Sequence, residues 1–307
     1  FPFLRLQGVV GCAPATVAGR FLMSDHESDF ARAPMCGDGQ PADAPPPVPS
    51  WLWALPFLLL AWTAPLWLHV WEPTLFLALN RACANVVAPV WTGLSLLGNA
   101  WGILGATAPL LVLSPRLLWA WLCAAPFVVL FARLGKGVIE SPRPAAVVEN
   151  LQMRIVGETL HNVSMPSGHT LTAFACATAL WFSLPAVKRA RHSWLLVLAA
   201  LTGLSRIAVG AHWPGDVAVG AALGLLAGLL GSRWSTRIAA YHLQPRSWSL
   251  RAVAALLAVA ATMLIVEAQD FDENLPMQRI LAVTVLLTLA WFVGLNIRPT
   301  AKTLSNR

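Results

Sequence analysis

Charge is scarce in this chain. Lys, Arg, Asp and Glu together make up 11% of 307 residues, against roughly 25% in soluble globular domains. With 57% hydrophobic residues and a mean hydropathy of +0.64, that scarcity excludes an ordinary soluble fold, because the apolar runs are too long and too evenly spaced for one or two soluble cores. Paired cysteines are absent too. The five (Cys12, Cys36, Cys83, Cys123, Cys176) show no spacing of the metal or redox kind. Cys123 and Cys176 fall inside apolar runs, where Cys acts as a small hydrophobe, so no structural disulfide is expected. No internal repeat is visible, and no continuous apolar segment precedes Met23, so a cleaved secretion signal is not expected there. The formal charge of +7 and pI near 9.8 would suit a nucleic-acid binder. The bases, however, sit in short loops between apolar runs rather than along one face, so no nucleic-acid partner is expected.

What is present reads as an all-α, polytopic transmembrane helix bundle. From Trp51 onward, eight apolar runs qualify as spans: about 51–70, 92–114, 117–134, 168–187, 193–211, 215–231, 251–268 and 280–297. Most supply the 17–25 largely apolar residues that cross ~30 Å of hydrocarbon. The second is interrupted by Asn99 and several glycines. The sixth is short and rich in Gly and Ala, which suits close helix packing. Many of the 15 tryptophans, such as Trp51, Trp67, Trp213 and Trp234, stand near run ends, where an interfacial belt belongs. Residues 1–50, ending Pro45-Pro46-Pro47-Val48-Pro49-Ser50, cannot bury a core and are expected to be a disordered tail. The chain opens on Phe1, and Met23 or Met35 is an alternative start.

The loops segregate by charge. With the N-terminus placed in the cytoplasm, all nine acids after Ser50 fall on the outer side. The inner loops and tail then hold eleven bases (Arg116, Lys188, Arg189, Arg191, Arg233, Arg237, Arg246, Arg251, Arg298, Lys302, Arg307) and no acid. The positive-inside rule therefore puts both termini inside. In a bacterium the outer side is the periplasm.

Three short motifs on that outer side carry the chemistry. Lys136 and Arg143 lie seven residues apart, followed by Pro144. An Arg fork and a Lys point charge can hold two edges of a phosphate; a snorkelling interfacial pair is the plain alternative. Pro166-Ser167-Gly168-His169 opens the fourth run. Pro and Ser start helices, Gly permits close backbone approach, and the helix N-terminus is an anion site in its own right. His169 beside that anion can give a proton to a departing oxygen, or it is simply an interfacial histidine on a capped helix. Ser205-Arg206, His212 and Asp216 bridge the fifth and sixth runs across Trp213-Pro214-Gly215. If that turn is helix-like, Asp216 shares a face with His212, fixes its tautomer and leaves a lone-pair nucleophile. A structural Arg206–Asp216 ion pair is the alternative. His161 reads as a solvated loop histidine. The acidic segment from Glu267 to Glu273 matches no cation-binding loop and reads as a solvated turn between helices.

Taken jointly, the three motifs resemble, position for position, the Lys-six-residues-Arg-Pro, Pro-Ser-Gly-His and Ser-Arg-five-residues-His-three-residues-Asp signatures of the type 2 phosphatidic acid phosphatase superfamily. The resemblance covers about residues 51–231, a six-span phosphatase core, and leaves two extra C-terminal spans (232–307) without an inherited role. It implies a metal-independent, cofactor-free hydrolase of a membrane lipid phosphate or pyrophosphate at the outer face of the inner membrane. His212 would be the nucleophile oriented by Asp216, and His169 the acid and then base. Lys136, Arg143, Ser167, Gly168 and Arg206 would bind the phosphate. Undecaprenyl pyrophosphate is the first substrate expected, ahead of phosphatidylglycerol phosphate, phosphatidate and lipid A phosphate. A lipid phosphotransferase is the alternative. A transporter or lipid-binding scaffold is the different-class alternative, disfavoured because the ionisable groups cluster at span ends rather than mid-span.

Overall fold

The computed structural model describes residues 48–68, 73–149 and 152–297. Most of the expected N-terminal tail, with Cys12, Cys36, Met23 and Met35, lies outside the described residues. Among those described, every regular element is helical. In chain order, α1 (Leu55–Trp62) and α2 (Ala64–Trp67) precede α3 (Thr74–Cys83) and α4 (Ala88–Leu96). Next come α5 (Ala100–Thr107), α6 (Leu110–Leu113), α7 (Pro115–Leu122), α8 (Ala125–Val138) and the single turn α9 (Pro144–Val147). The remainder are α10 (Gly168–Ser183), α11 (Ala186–Arg189), α12 (Trp194–Ala208), α13 (Pro214–Ser235), α14 (Trp248–Val266) and α15 (Leu275–Ile297).

Four segments are long and apolar enough to cross a bilayer: Pro115–Val138, Pro214–Ser235, Ala240–Val266 and Asp272–Ile297. The pair α3 and α4 makes a fifth if counted together, although it bends by 110°. The expected spans elsewhere are more broken than their hydropathy suggested. The run 51–70 is divided at Thr63, before Ala64-Pro65, since a proline removes a helical N–H and crowds the preceding turn. The run 92–114 is divided at Gly98-Asn99, where Asn99 starts a new helix by accepting from Trp101 N and Gly102 N. The fourth and fifth runs form helices of 16 and 15 residues, ended by Leu184-Pro185 and by Gly210 at φ +81°. A Cβ on Gly210 would lie 2.7 Å from the Arg154 carbonyl, so only glycine serves in this turn.

The central contact is α10 against α13. Gly220, Gly224 and Gly228 form a stripe at four-residue spacing on α13, and a Cβ built on any of them would lie within 2.7 Å of α10 or the Ser167 carbonyl ahead of it. Lipid tails are as apolar as Leu, so helices in a bilayer associate through such close backbone approach. A larger apolar core unites α5–α8, α10 and α13 with α14 and α15, through Leu104, Leu118, Ala179, Ala227, Leu257 and Val285 among others. The two C-terminal helices are thus built into the same core as the motif-bearing ones. Fully buried Asn80 of α3 donates to the Arg154 and Ile207 carbonyls and accepts from Arg154 N at 2.7 Å. This ties the loop after α9 to the end of α12.

Candidate active site

His212 lies in the turn between α12 and α13. Its backbone N–H donates to the Arg206 carbonyl at 3.2 Å, as Ala211 N–H does at 2.9 Å, so the chain doubles back on the last turn of α12. The following residues differ from the helix-like turn expected. Trp213 is extended (φ −73°, ψ 156°), α13 begins at Pro214, and Asp216 occupies its third position. Asp216 then folds back over the helix start. Its Oδ2 accepts from Trp213 N at 2.9 Å and lies 3.2 Å from His212 Nδ1. The four-residue spacing works through a helix N-cap rather than a shared helical face. The Ser164 hydroxyl also donates to Asp216 Oδ2.

With Nδ1 committed to Asp216, His212 Nε2 carries the lone pair and accepts from Arg143 Nη1 at 3.3 Å. Arg143 is itself aimed, since Nη1 donates to the Ala211 carbonyl at 2.8 Å and Nε to Asn162 Oδ1 at 2.6 Å. His212 is 2% exposed and Asp216 fully buried. Burial pushes the imidazole down to about 3, overriding the Asp216 carboxylate that raises it, and Arg143 and Arg206 add to the lowering. A neutral ring with a bare lone pair is the form a nucleophile needs.

Two further cations, from α8 and α12, lie near this cluster. Arg206, in the last turn of α12, is 3% exposed; its Nη1 donates to Ser95 Oγ, while its Nε has no partner. A buried, unpartnered guanidinium N–H costs free energy unless an acceptor arrives. Lys136 stands in the last turn of α8 rather than beyond it. It makes no hydrogen bond within the described residues and lies within electrostatic reach of Arg143, Arg206 and Asp216. The fourth positive element is the N-terminus of α10. Ser167 is its cap residue, fully buried and bonded through its N–H to the Asp216 carbonyl at 3.1 Å. A Cβ on Gly168 would meet no atom within 4 Å, so this helix end is open to an anion.

His169 joins from the first turn of α10, but its bonded partner comes from an unexpected place. Its Nε2 lies 2.9 Å from Oδ2 of Asp270, in the loop between α14 and α15. Asn99 Nδ2 donates to the same oxygen at 3.1 Å. The acidic segment is therefore not merely a solvated turn, since one of its carboxylates engages a motif histidine. Burial raises the Asp270 carboxyl, yet His169, Arg206 and Asn99 together hold it below the usual carboxylate range. Ser164, Asn162, Asn99 and Asp270 were not singled out as site residues from sequence. The only hints of them were a polar interruption in an apolar run and an acidic run between two others. His161 is exposed.

Residues 116–239 match the family model of the PAP2 superfamily. Over that stretch the chain resembles the PAP2 superfamily. A lipid A 1-phosphatase of Porphyromonas gingivalis is 47% identical over 72 residues, which are 22% of this chain and 15% of that protein. The bacitracin transport permease protein BcrC of Bacillus licheniformis is 36% identical over 88 residues, 28% of this chain and 40% of the relative. The chain thus spans well under half the length of either curated relative. Among solved structures, Aquifex aeolicus LpxE superposes with a TM-score of 0.44 at 27% identity, covering 51% of this chain and 94% of its own. The apolar helices together with the family match mark the chain as an integral membrane protein.

Proposed function

We propose that the protein is a membrane phosphatase that removes a terminal phosphate from a lipid phosphate or pyrophosphate through a phosphohistidine. The observation that carries this reading is the His212 environment: Nδ1 held by Asp216, the ring neutral, and the Nε2 lone pair facing Arg143 Nη1 at 3.3 Å. His212 Nε2 attacks phosphorus and forms an N–P bond as the ester or anhydride O–P bond breaks. The electron pair goes to the leaving oxygen, which takes a proton from the His169 imidazolium. Water then gives a proton to His169 and its oxygen attacks phosphorus; the N–P bond breaks, releasing phosphate and free His212. Lys136, Arg143, Arg206, Ser167 and the Gly168 N–H offset charge on the transferring phosphoryl oxygens.

The lipid part of the proposal is supported by an apolar cavity of about 370 Å³ between α5–α7, α10 and α12, lined by residues including Leu97, Ala173, Leu195 and Thr202. It ends beside the site, because Thr202 Cγ2 and His169 Cβ both crowd Gly98. A tail can lie there while the headgroup meets the cations. The charge count of the loops supports a site on the periplasmic face of the inner membrane with both termini cytoplasmic. Undecaprenyl pyrophosphate is the substrate we place first. Lipid A phosphate, phosphatidylglycerol phosphate and phosphatidate follow, lipid A being the substrate named for one curated relative. Phosphate release by the purified chain from each of these four lipids tests the order. The pyrophosphate should give the highest kcat/KM, and a higher value on any monophosphate would overturn that choice.

A further inference from the structure

The family match ends at residue 239, yet the loop between α14 and α15 reaches His169. We infer that Asp270 is a positioning residue for the reaction, supplied by the C-terminal helix pair, which holds the His169 ring in place and keeps its transferable proton there for the leaving group. The inference rests on the reading of His169 as acid and then base.

Asp270 is fixed from several sides. Its backbone is left-handed, φ 60°, a conformation Asp and Asn tolerate better than other side chains. The next residue, Phe271, is 7% exposed and packs among Cys83, Trp91, Val209 and Ala211. The Arg206 guanidinium carbon lies 5.8 Å from the centre of its ring. A Cβ on Gly157 would touch that ring at 2.8 Å, so the loop after α9 closes on it from the other side. Behind it, Asn274 Nδ2 donates to the Gln269 carbonyl at 3.2 Å. A carboxylate on a displaceable gate would hang from a loose segment; this one stands on a buried aromatic anchor.

The same Oδ2 meets both His169 Nε2 and Asn99 Nδ2, and Asn99 spends its other end capping α5. The helix break at Asn99 therefore aims the carboxylate. The two histidines are held in opposite senses. His212 is bonded at Nδ1 and works through Nε2. His169 is bonded at Nε2, which leaves Nδ1 to exchange the proton. A carboxylate at 2.9 Å stabilises a proton on the ring. Burial of the ring, and then Arg206 and Arg143, the other charged groups facing it, oppose that proton.

Leaving-group dependence tests this in the full-length chain. Dodecyl phosphate and dodecyl pyrophosphate share one tail, but the first expels an alkoxide, which needs a proton, and the second a phosphate monoester, which hardly does. Asp270→Asn keeps the size and suits the left-handed backbone. It should lower kcat on dodecyl phosphate roughly 10- to 100-fold, within the span that general acids contribute, and leave dodecyl pyrophosphate within about threefold. The alkaline limb of kcat/KM for dodecyl phosphate should also move to lower pH. Asn99→Ser retains a helix cap, loses the donor to Asp270, and should give the same selective loss if the first variant folds poorly. Equal loss on both substrates, loss on neither, or a lower KM at unchanged kcat (a carboxylate that merely competes with substrate) would overturn the assignment of Asp270. If the unmutated chain turned over neither compound, the phosphatase reading itself would fall, and the assignment with it.

Discussion

At the residue scale, the proposed nucleophile His212 and the Asp216 carboxylate are both removed from water, and that burial sets the protonation of the imidazole. His212 binds no proton in the folded chain until about pH 3, whereas an unfolded histidine binds one near pH 6.5. The unfolded state therefore takes up more protons below that value, and stability falls as pH drops from about 6.5 towards 3. Asp270, held below its usual range, adds in the same direction once the pH reaches the unfolded carboxylate range. Thermal melting in detergent should thus show a lower Tm at pH 4.5 than at pH 7, with a smaller difference in His212→Gln. An equal difference in that variant would mean His212 does not carry this effect. The motif residues were legible in the sequence because their spacing is local and their chemistry unusual in an apolar chain. Asp270 and Asn99 were not, since their significance lies in a contact across 171 residues that no spacing encodes.

At the element scale, the site is assembled where α10 and α13 begin, and the glycine stripe between them sets how closely those ends approach. A Cβ at Gly224 would come within 2.6 Å of the Leu171 carbonyl and Phe174 Cβ. Neither neighbour is the far end of a flexible side chain, so the helices must part. Gly224→Ala should cost about 1–3 kcal/mol, read as a lower Tm, and should reduce activity because Ser167, His169 and Asp216 ride on the displaced ends. An unchanged Tm would show that the interface yields without strain. The helical class of the chain was legible from composition and run length. The breaks were less so, because helices apolar on all sides carry no periodicity to mark where one stops. Their ends are set by Pro65, Pro185, Gly210 and the capping side chain of Asn99.

At the scale of the molecule, the C-terminal helices were legible as apolar runs but not as contributors to the site. They pack on α5 and share its core, and their connecting loop closes over Arg206 through Phe271. The chain-long charge asymmetry supports the proposed outward-facing site, and the apolar cavity beside His169 leaves room for a tail in the bilayer. In the proposed reaction all of this serves one covalent event at His212 Nε2. The most direct measurement is mass spectrometry of the purified chain quenched in alkali during turnover of a lipid pyrophosphate. The account predicts a phosphoryl group on the peptide containing His212, absent from His212→Gln, which should also release no phosphate. Undiminished phosphate release by that variant, or phosphorylation on another residue, would contradict it.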